Sequence, residues 1–512
     1  MSREPDVCLI LEGTYPYVSG GVSSWTHELI KTHKHLTFAL VSLVAPNAPT
    51  TMLYTLPDNV VSLETLKLQD LPKGDKLSLE EDKALCAKLE PLLYKLQSCA
   101  TLDNLKAIIG VLTPWHGKIG RQTLLESNAM WDLLVRMYKT TMPATSFLDY
   151  FWSWRGLFGS LFSILLTELP KAKVYHSLCT GYAGLLLARA HLETGLPCLI
   201  TEHGIYTNER RIEIVSAEWI DDIKGFNLSI SSGEDERDIK DFWIDTFGNY
   251  SRLCYEASKI IITLYEGNQE FQRMDGADPK KMRVIPNGID FDHFTNITRT
   301  EHVPTVAFIG RVVPVKDVKI YIKAVQIIKQ SIPGLRAFIL GPNEEDPAYS
   351  KECCDLVEHL SLGDTMIFTG GVDIRNYLGE IDVLLLTSIS EAQPLVVLEA
   401  GAAGIPAVTT DVGACHEMIM GTAHEKPRLG CGGAVVGLGN PVAIANAAIK
   451  LLSDLTYYES CSNTMRQRVK TSYRKDDQRS AYEFIYADLI NNTDNRPGNI
   501  GFEHEANSNS RA

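Results

Sequence analysis

The chain has 512 residues, 45% of them hydrophobic and 22% charged, enough for two or three soluble globular domains with substantial cores. Its formal net charge of −14 excludes broad, non-specific nucleic-acid binding, which needs a basic surface. No stretch approaches the roughly 18–20 apolar residues of a membrane span, and eleven scattered cysteines without a C-x-x-C pair point to reduced thiols in the cytoplasm.

The apolar run at residues 7–11 is too short for a secretory signal and suits a first β-strand. Further strands are expected at 38–44, 174–178, 198–201 and 260–264. After "VIPNGIDFDHF" the pattern restarts, with strands expected at 305–309, 337–340, 366–369, 383–387 and 407–409. β-Branched runs of this length, each followed by a helical segment, are the signature of a parallel sheet covered on both faces. Two such series predict an α/β protein of two Rossmann-like, doubly wound domains. The Pro286-Asn287-Gly288 turn and the polar stretch 295–304 mark the hinge, dividing the chain into 1–294 and 295–470.

Between residues 67 and 169 the strand rhythm stops, and a helical insertion is expected there, with helices at 80–97 and 124–139. Its last part, "FLDYFWSWRGLFGSLFSILLTELP", holds seven aromatics. A membrane-surface or partner-docking helix would carry lysines on a broad polar face; this segment has neither, so a core helix is expected. A final helix falls at 471–491, with its best pattern from 476, and the polar tail 492–512 reads as disordered.

Ligands of open parallel sheets bind where strand ends feed helix N-termini. After the first strand, Gly20-Gly21 enters a helix, an arrangement that admits a phosphate to backbone N–H groups. After the strand at 305–309, Arg311 and Lys316 stand in one loop, where two cations can clamp a diphosphate. "SISEAQPLVVLEAGAAGIP" places Pro394 at a first helical position and one acid, Glu399, inside an almost wholly apolar helix. An unpaired buried carboxylate is costly, so Glu399 needs a partner: ligand hydroxyls or a neighbouring arginine. Glu391 lies just outside the same helix. His203 follows the strand at 198–201, as a structural histidine or a sugar contact. Asp290 and Asp292 form a D-x-D at the hinge and read as turn chemistry rather than a metal site.

Together, "GR" at Gly310-Arg311, Lys316-Asp317, the E-x7-E of Glu391 and Glu399, "PNGID" and the Gly20-Gly21 loop resemble the retaining family 4 glycosyltransferases. The resemblance implies a GT-B fold, two Rossmann-like domains facing a cleft with a C-terminal helix crossing back to the first. It implies a UDP-sugar as donor substrate, no cofactor and no metal. By position, Arg311 and Lys316 would bind the donor diphosphate, Glu399 the ribose and Glu391 the transferred sugar. The backbone at Gln393, Pro394 and Leu395 would donate to sugar or phosphate, and Val372 would touch the base. His203 would line the sugar pocket, and Gly20-Gly21 would admit the phosphates from the opposite lobe. The motif departs from the family at Ala392-Gln393, where Gly-Phe is usual. "LEGTYPYVSGGVSSW", "DYFWSWRGLFGSLFSILL", "TEHGIYTNERRIEI" and "AEWI" resemble, more narrowly, the PelF group of that family. That likeness implies a polysaccharide acceptor and inner-membrane Pel synthase and export proteins as partners, with a peripheral position at that membrane left open. Two other readings share these features: a nucleotide-sugar epimerase of GT-B fold, and a docking subunit of a membrane polysaccharide synthase.

Overall fold

The structure, a computed structural model, describes residues 4–215, 237–300 and 303–494. The "AEWI" motif at 217–220 and the tail from 495 onward lie outside the described residues, as do the side chains of 492–494. The N-terminal sheet contains β1 (Val7–Glu12), β2 (Phe38–Val44), β3 (Val60–Lys67), β4 (Val174–Ser177), β5 (Cys198–Glu202), β6 (Ile260–Thr263) and β7 (Met282–Val284). The second contains β8 (Thr305–Ile309), β9 (Arg336–Leu340), β10 (Met366–Gly370), β11 (Val383–Leu386), β12 (Ala407–Thr410) and β13 (Gly433–Val436).

Strand order is β3-β2-β1-β4-β5-β6-β7 in the first sheet and β10-β9-β8-β11-β12-β13 in the second. Every pairing is parallel. This is the two-lobed α/β architecture the sequence predicts, a GT-B fold. In each sheet the order reverses once, between β1 and β4 and between β8 and β11. Such a reversal splays the following loops apart and opens a crevice at the strands' carboxyl ends.

The central strands are buried on both faces, which is why they read as continuous apolar runs. Edge strands β3, β7 and β13 escape that reading. β3 is half exposed and carries Ser62, Glu64 and Thr65, β7 is three residues long, and β13 opens on Gly433-Ala434.

Helices Leu79–Cys99, Leu102–Leu112, Asn128–Thr141 and Phe147–Leu166 occupy the stretch between β3 and β4. Ser78 and Glu81 form a reciprocal capping box that fixes the start of the first of these. Helix Phe147–Leu166 buries Trp154, Leu157, Phe158, Leu161 and Phe162 in the first lobe's core, while Leu148 and Trp152 stay in solvent. No helix among the described residues is long and apolar enough to cross a membrane.

The last helix, Lys475–Asp494, lies on the first lobe. Its Tyr482, Tyr486 and Leu489 are fully buried with Val7, Leu9, Phe38 and Leu40 of β1 and β2. The Tyr486 hydroxyl sits 2.7 Å from His176 Nδ1, and the Tyr482 hydroxyl 3.0 Å from Thr201 Oγ1. Burial pushes the His176 imidazole down to about 3, so it is neutral in these bonds.

Candidate active site

Two loops leave the second sheet at its reversal point. The loop after β8 carries Arg311 and ends in a single 3-10 turn, Pro314–Lys316. Asp317, which follows, takes a left-handed conformation (φ 44°) that costs a non-glycine residue about 1–2 kcal/mol. That turn is held from the neighbouring strand end, since Thr387 Oγ1 donates to the carbonyls of Lys316 and Asp317, both at 3.0 Å.

The loop after β11 brings Glu391 to the same place. Lys316 Nζ lies 2.5 Å from Glu391 Oε1, with the two side chains 19% and 11% exposed. Ser388 Oγ donates to the same oxygen at 2.6 Å. Both bonds fall on Oε1, which leaves Oε2 for a further donor. The loop after β12 packs beneath: Ala414 N donates to Ala392 O at 2.8 Å. At Gly413 (φ 53°) a Cβ would come within 2.2 Å of the Glu391 carbonyl oxygen, so only glycine fits.

Helix Leu395–Ala402 starts directly after this loop. Pro394 is its N-cap (φ −71°, ψ 107°) rather than its first helical residue, a one-position correction to the sequence reading. Among the described residues no side chain caps the helix; Val397 N donates to Pro394 O at 3.1 Å, and the N–H groups of Leu395 and Val396 remain available to an acceptor. Glu399 sits in the second turn, mostly buried. Among the described residues no hydrogen bond or ion pair reaches its carboxylate, and the arginine considered from the sequence is not there. Burial alone pushes the Glu399 carboxyl up to about 7.

The remaining expected residues are more dispersed. Arg311 is half exposed and pairs with Glu345 rather than meeting Lys316. Val372 packs on the apolar cluster that includes Leu378, Leu384 and Val397. The Gln393 side chain is buried and tied to the Pro286-Asn287-Gly288 turn: its Oε1 accepts from Asn287 N at 2.7 Å and its Nε2 donates to Asn287 O at 3.3 Å. Gln478 of the crossing helix reaches the same turn, donating to Asn287 Oδ1 at 3.2 Å. In the first lobe, Gly20 and Gly21 are exposed at the start of helix Gly21–Thr32, again without a side-chain cap. His203 is buried edge-on to Trp25, ring centroids 4.7 Å apart, and its Nε2 has no partner among the described residues. Burial pushes it down to about 4, so it is neutral and able to accept or donate one hydrogen bond.

Sequence reasoning missed Thr387, Ser388, Gly413 and Gln478, and read Asn287 only as part of a turn and of the "PNGID" motif. Ser388 stands three residues before Glu391, within reach of a turn; the others act from distant parts of the chain.

Residues 5–280 match the family model described as "Domain of unknown function (DUF3492)". The chain belongs to that family. Beyond this DUF3492 region, residues 291–468 match "Glycosyl transferases group 1". This second segment holds Arg311, Lys316, Glu391 and Glu399.

Over 271 residues the DUF3492 chain is 26% identical to a D-inositol 3-phosphate glycosyltransferase of Actinosynnema mirum, covering 48% of this chain and 63% of that protein. Over 141 residues it is 33% identical to an N-acetyl-alpha-D-glucosaminyl L-malate synthase of Bacillus anthracis, covering 27% and 35%. The matches thus span less than two thirds of these curated relatives. Among solved structures it resembles sucrose-phosphate synthase of Thermosynechococcus elongatus, with TM-score 0.55, 15% identity and 95% and 100% coverage. It also resembles Anabaena HepE in complex with UDP and glucose, with TM-score 0.52, 13% identity and 94% and 100% coverage.

Proposed function

We propose that the protein is a retaining, metal-independent glycosyltransferase. It would move a hexosyl unit from a UDP-sugar, either UDP-glucose or a UDP-N-acetylhexosamine, to a growing exopolysaccharide, in the manner of PelF and the Pel polymer. The observation that carries this reading is Glu399. A mostly buried carboxylate with no partner among the described residues, one turn inside a helix that opens on the sheet's reversal point, is suited to ligand hydroxyls. The Lys316–Glu391 pair, on the loops after β8 and β11, would meet that ligand's diphosphate and sugar. The Anabaena relative, of the same fold, holds UDP and glucose.

In this scheme the uncapped helix start and Lys316 hold the diphosphate, and Glu399 accepts from the ribose hydroxyls. Lys316 has donors to spare beyond its bond to Glu391, and Arg311 leaves Glu345 to join it. Oε2 of Glu391 accepts from a hydroxyl of the transferred sugar. The bond from the anomeric carbon to the phosphate oxygen breaks, and UDP departs with the electron pair. An acceptor hydroxyl oxygen bonds to the same face, and its proton passes to the departing phosphate. Stabilising the leaving charge is the main protein contribution, so Lys316→Ala lowers turnover about 10²- to 10³-fold with folding retained. With the PelF-like reading go inner-membrane Pel synthase and export proteins as partners.

Calorimetry against UDP-, GDP- and ADP-sugars tests the reading, with binding expected for UDP-sugars and lost in Glu399→Ala. Absence of any nucleotide-sugar binding refutes it. An epimer formed from UDP-sugar without acceptor moves the protein to the epimerase class.

A further inference from the structure

The chain crosses between its lobes twice. It leaves the first at Ile285, buried with β1 and β6, and enters the second at Ile289 and Phe291, buried with β8 and β11. It returns from Tyr473, in the core of the second lobe, to Tyr482, in that of the first. The two crossings touch. Ile289 N donates to Tyr473 O and Lys475 N to Ile289 O, both at 2.9 Å. At Gly288 a Cβ would come within 2.4 Å of the Arg474 carbonyl, so the bare backbone of glycine permits the approach.

One side chain of the loop after β11 reaches this contact. Gln393, two residues beyond Glu391, is 6% exposed, and its amide engages both backbone groups of Asn287. Asn287 passes the contact on: its Oδ1 accepts from Gln478 Nε2, and Gln478 Oε1 accepts from Gly288 N at 3.4 Å. Three amide side chains thus run in series from that loop to the crossing helix. An ion pair carries the series into the first lobe, where Lys475 Nζ lies 2.7 Å from Glu28 Oε2 on helix Gly21–Thr32. That helix starts at the Gly20-Gly21 loop.

The same loop is fixed to its own lobe through Ala392, whose carbonyl accepts from Ala414 N. Gln393 adds a tie to the other side. Burying a primary amide is costly unless both its ends are bonded, and an apolar side chain would fill the space without that demand. Here both ends are met by one residue, and a fully satisfied buried amide fixes a single arrangement. Its bonds point away from Lys316 and Glu399, toward the crossings.

We propose that Gln393 is a positioning residue for the transfer: through Asn287 it holds the Glu391 loop and both crossings in one register, so that a nucleoside diphosphate on that loop sets how the lobes meet. The inference rests on the glycosyltransferase reading, which supplies the diphosphate. The full-length protein is compared with Gln393→Met, Gln478→Ala and the double variant by UDP calorimetry, steady-state kinetics and hydrogen exchange. Methionine matches glutamine in length and bonds to neither group of Asn287. In Gln393→Met, kcat/KM falls ~10-fold while UDP affinity stays within ~3-fold of the parent, the scale of one or two lost neutral hydrogen bonds. Gln478→Ala loses ~3-fold, and the double variant is no worse than Gln393→Met because both act through Asn287; independent losses would multiply to ~30-fold. UDP slows exchange at least ~3-fold in segments 285–290 and 473–479 of the parent and in neither segment of Gln393→Met. A residue that only packs the loop would leave that remote response to UDP in place. The proposal is overturned if UDP slows exchange in Gln393→Met as in the parent, or if the two losses multiply. UDP binding and transfer in a parent whose 473–479 exchange ignores UDP overturns this inference alone. A parent that binds neither UDP nor a UDP-sugar overturns the transferase reading and this inference with it.

Discussion

Glu399 joins stability and ligand binding in one side chain. Its carboxyl is raised by burial to about 7 from an ordinary 4.5. Between those two values the unfolded chain is ionised while the folded chain keeps its proton, so the unliganded protein loses stability as pH rises through that window. The full penalty, about 3 kcal/mol, is present above pH 7. Glu399→Gln therefore raises the urea midpoint at pH 8, flattens the stability profile between pH 5 and 7, and abolishes UDP binding. A midpoint at pH 8 equal to the parent's would mean that the acid is already met within the protein. Ser388→Ala removes one of the two bonds that orient Glu391, and a ~10-fold loss of kcat with unchanged UDP affinity is expected from steady-state kinetics. The anomaly of Glu399 was legible from one acid among apolar neighbours. The destination of Gln393 was not, because its partner Asn287 lies 106 residues earlier, and no local pattern encodes that meeting. Arg311 was read as a clamp beside Lys316; its pairing with Glu345 depends on a loop from another strand.

At the scale of elements, the site is three loops stacked on strand ends, and the tightest point of that stack is Gly413. Alanine there would face both a left-handed backbone and the carbonyls of Glu391 and Ala392 at 2.2 and 2.3 Å. Gly413→Ala should cost about 1–3 kcal/mol in chemical denaturation and lower turnover by displacing Glu391. Unchanged kinetics in a destabilised variant would separate the loop's packing from its part in the site. The strands were readable where both faces are covered, as in β1, β2, β8 and β11, because full burial writes itself as a nearly continuous apolar run. β3 and β13 escaped because an edge strand tolerates polar residues and glycine on its open side. The aromatic helix Phe147–Leu166 was readable as core from its missing lysines, yet the packing along its flank depends on Trp243, which arrives from a helix 90 residues away.

At the scale of the molecule, the two lobes meet through the crossing helix, through apolar packing of Tyr265 on the second lobe's core, and through polar contacts. Glu417 of the second lobe accepts from the backbone N–H groups of Glu266 and Gly267 at 3.1 and 2.9 Å, capping helix Gly267–Met274 of the first. Charge-assisted bonds of this kind contribute about 1.5–3 kcal/mol each when buried and less when partly wet. Glu417→Ala is expected to lower the denaturation midpoint measurably and to raise the UDP-sugar KM more than it lowers kcat, since it loosens the lobes rather than the reacting groups. Equal effects on both constants would argue for a direct part in the chemistry. The crossing helix Lys475–Asp494 has a consequence for biosynthesis. Chains emerge from the ribosome in order, and domains generally fold as they appear. Here the face made by Val7, Leu9, Phe38 and Leu40 is covered early by Leu29 and Ile30 of helix Gly21–Thr32, but it stays incompletely covered until Tyr482, Tyr486 and Leu489 have been made. The nascent first lobe thus carries the part of that apolar surface that the last helix covers throughout translation of the second, a window in which chaperones would engage it.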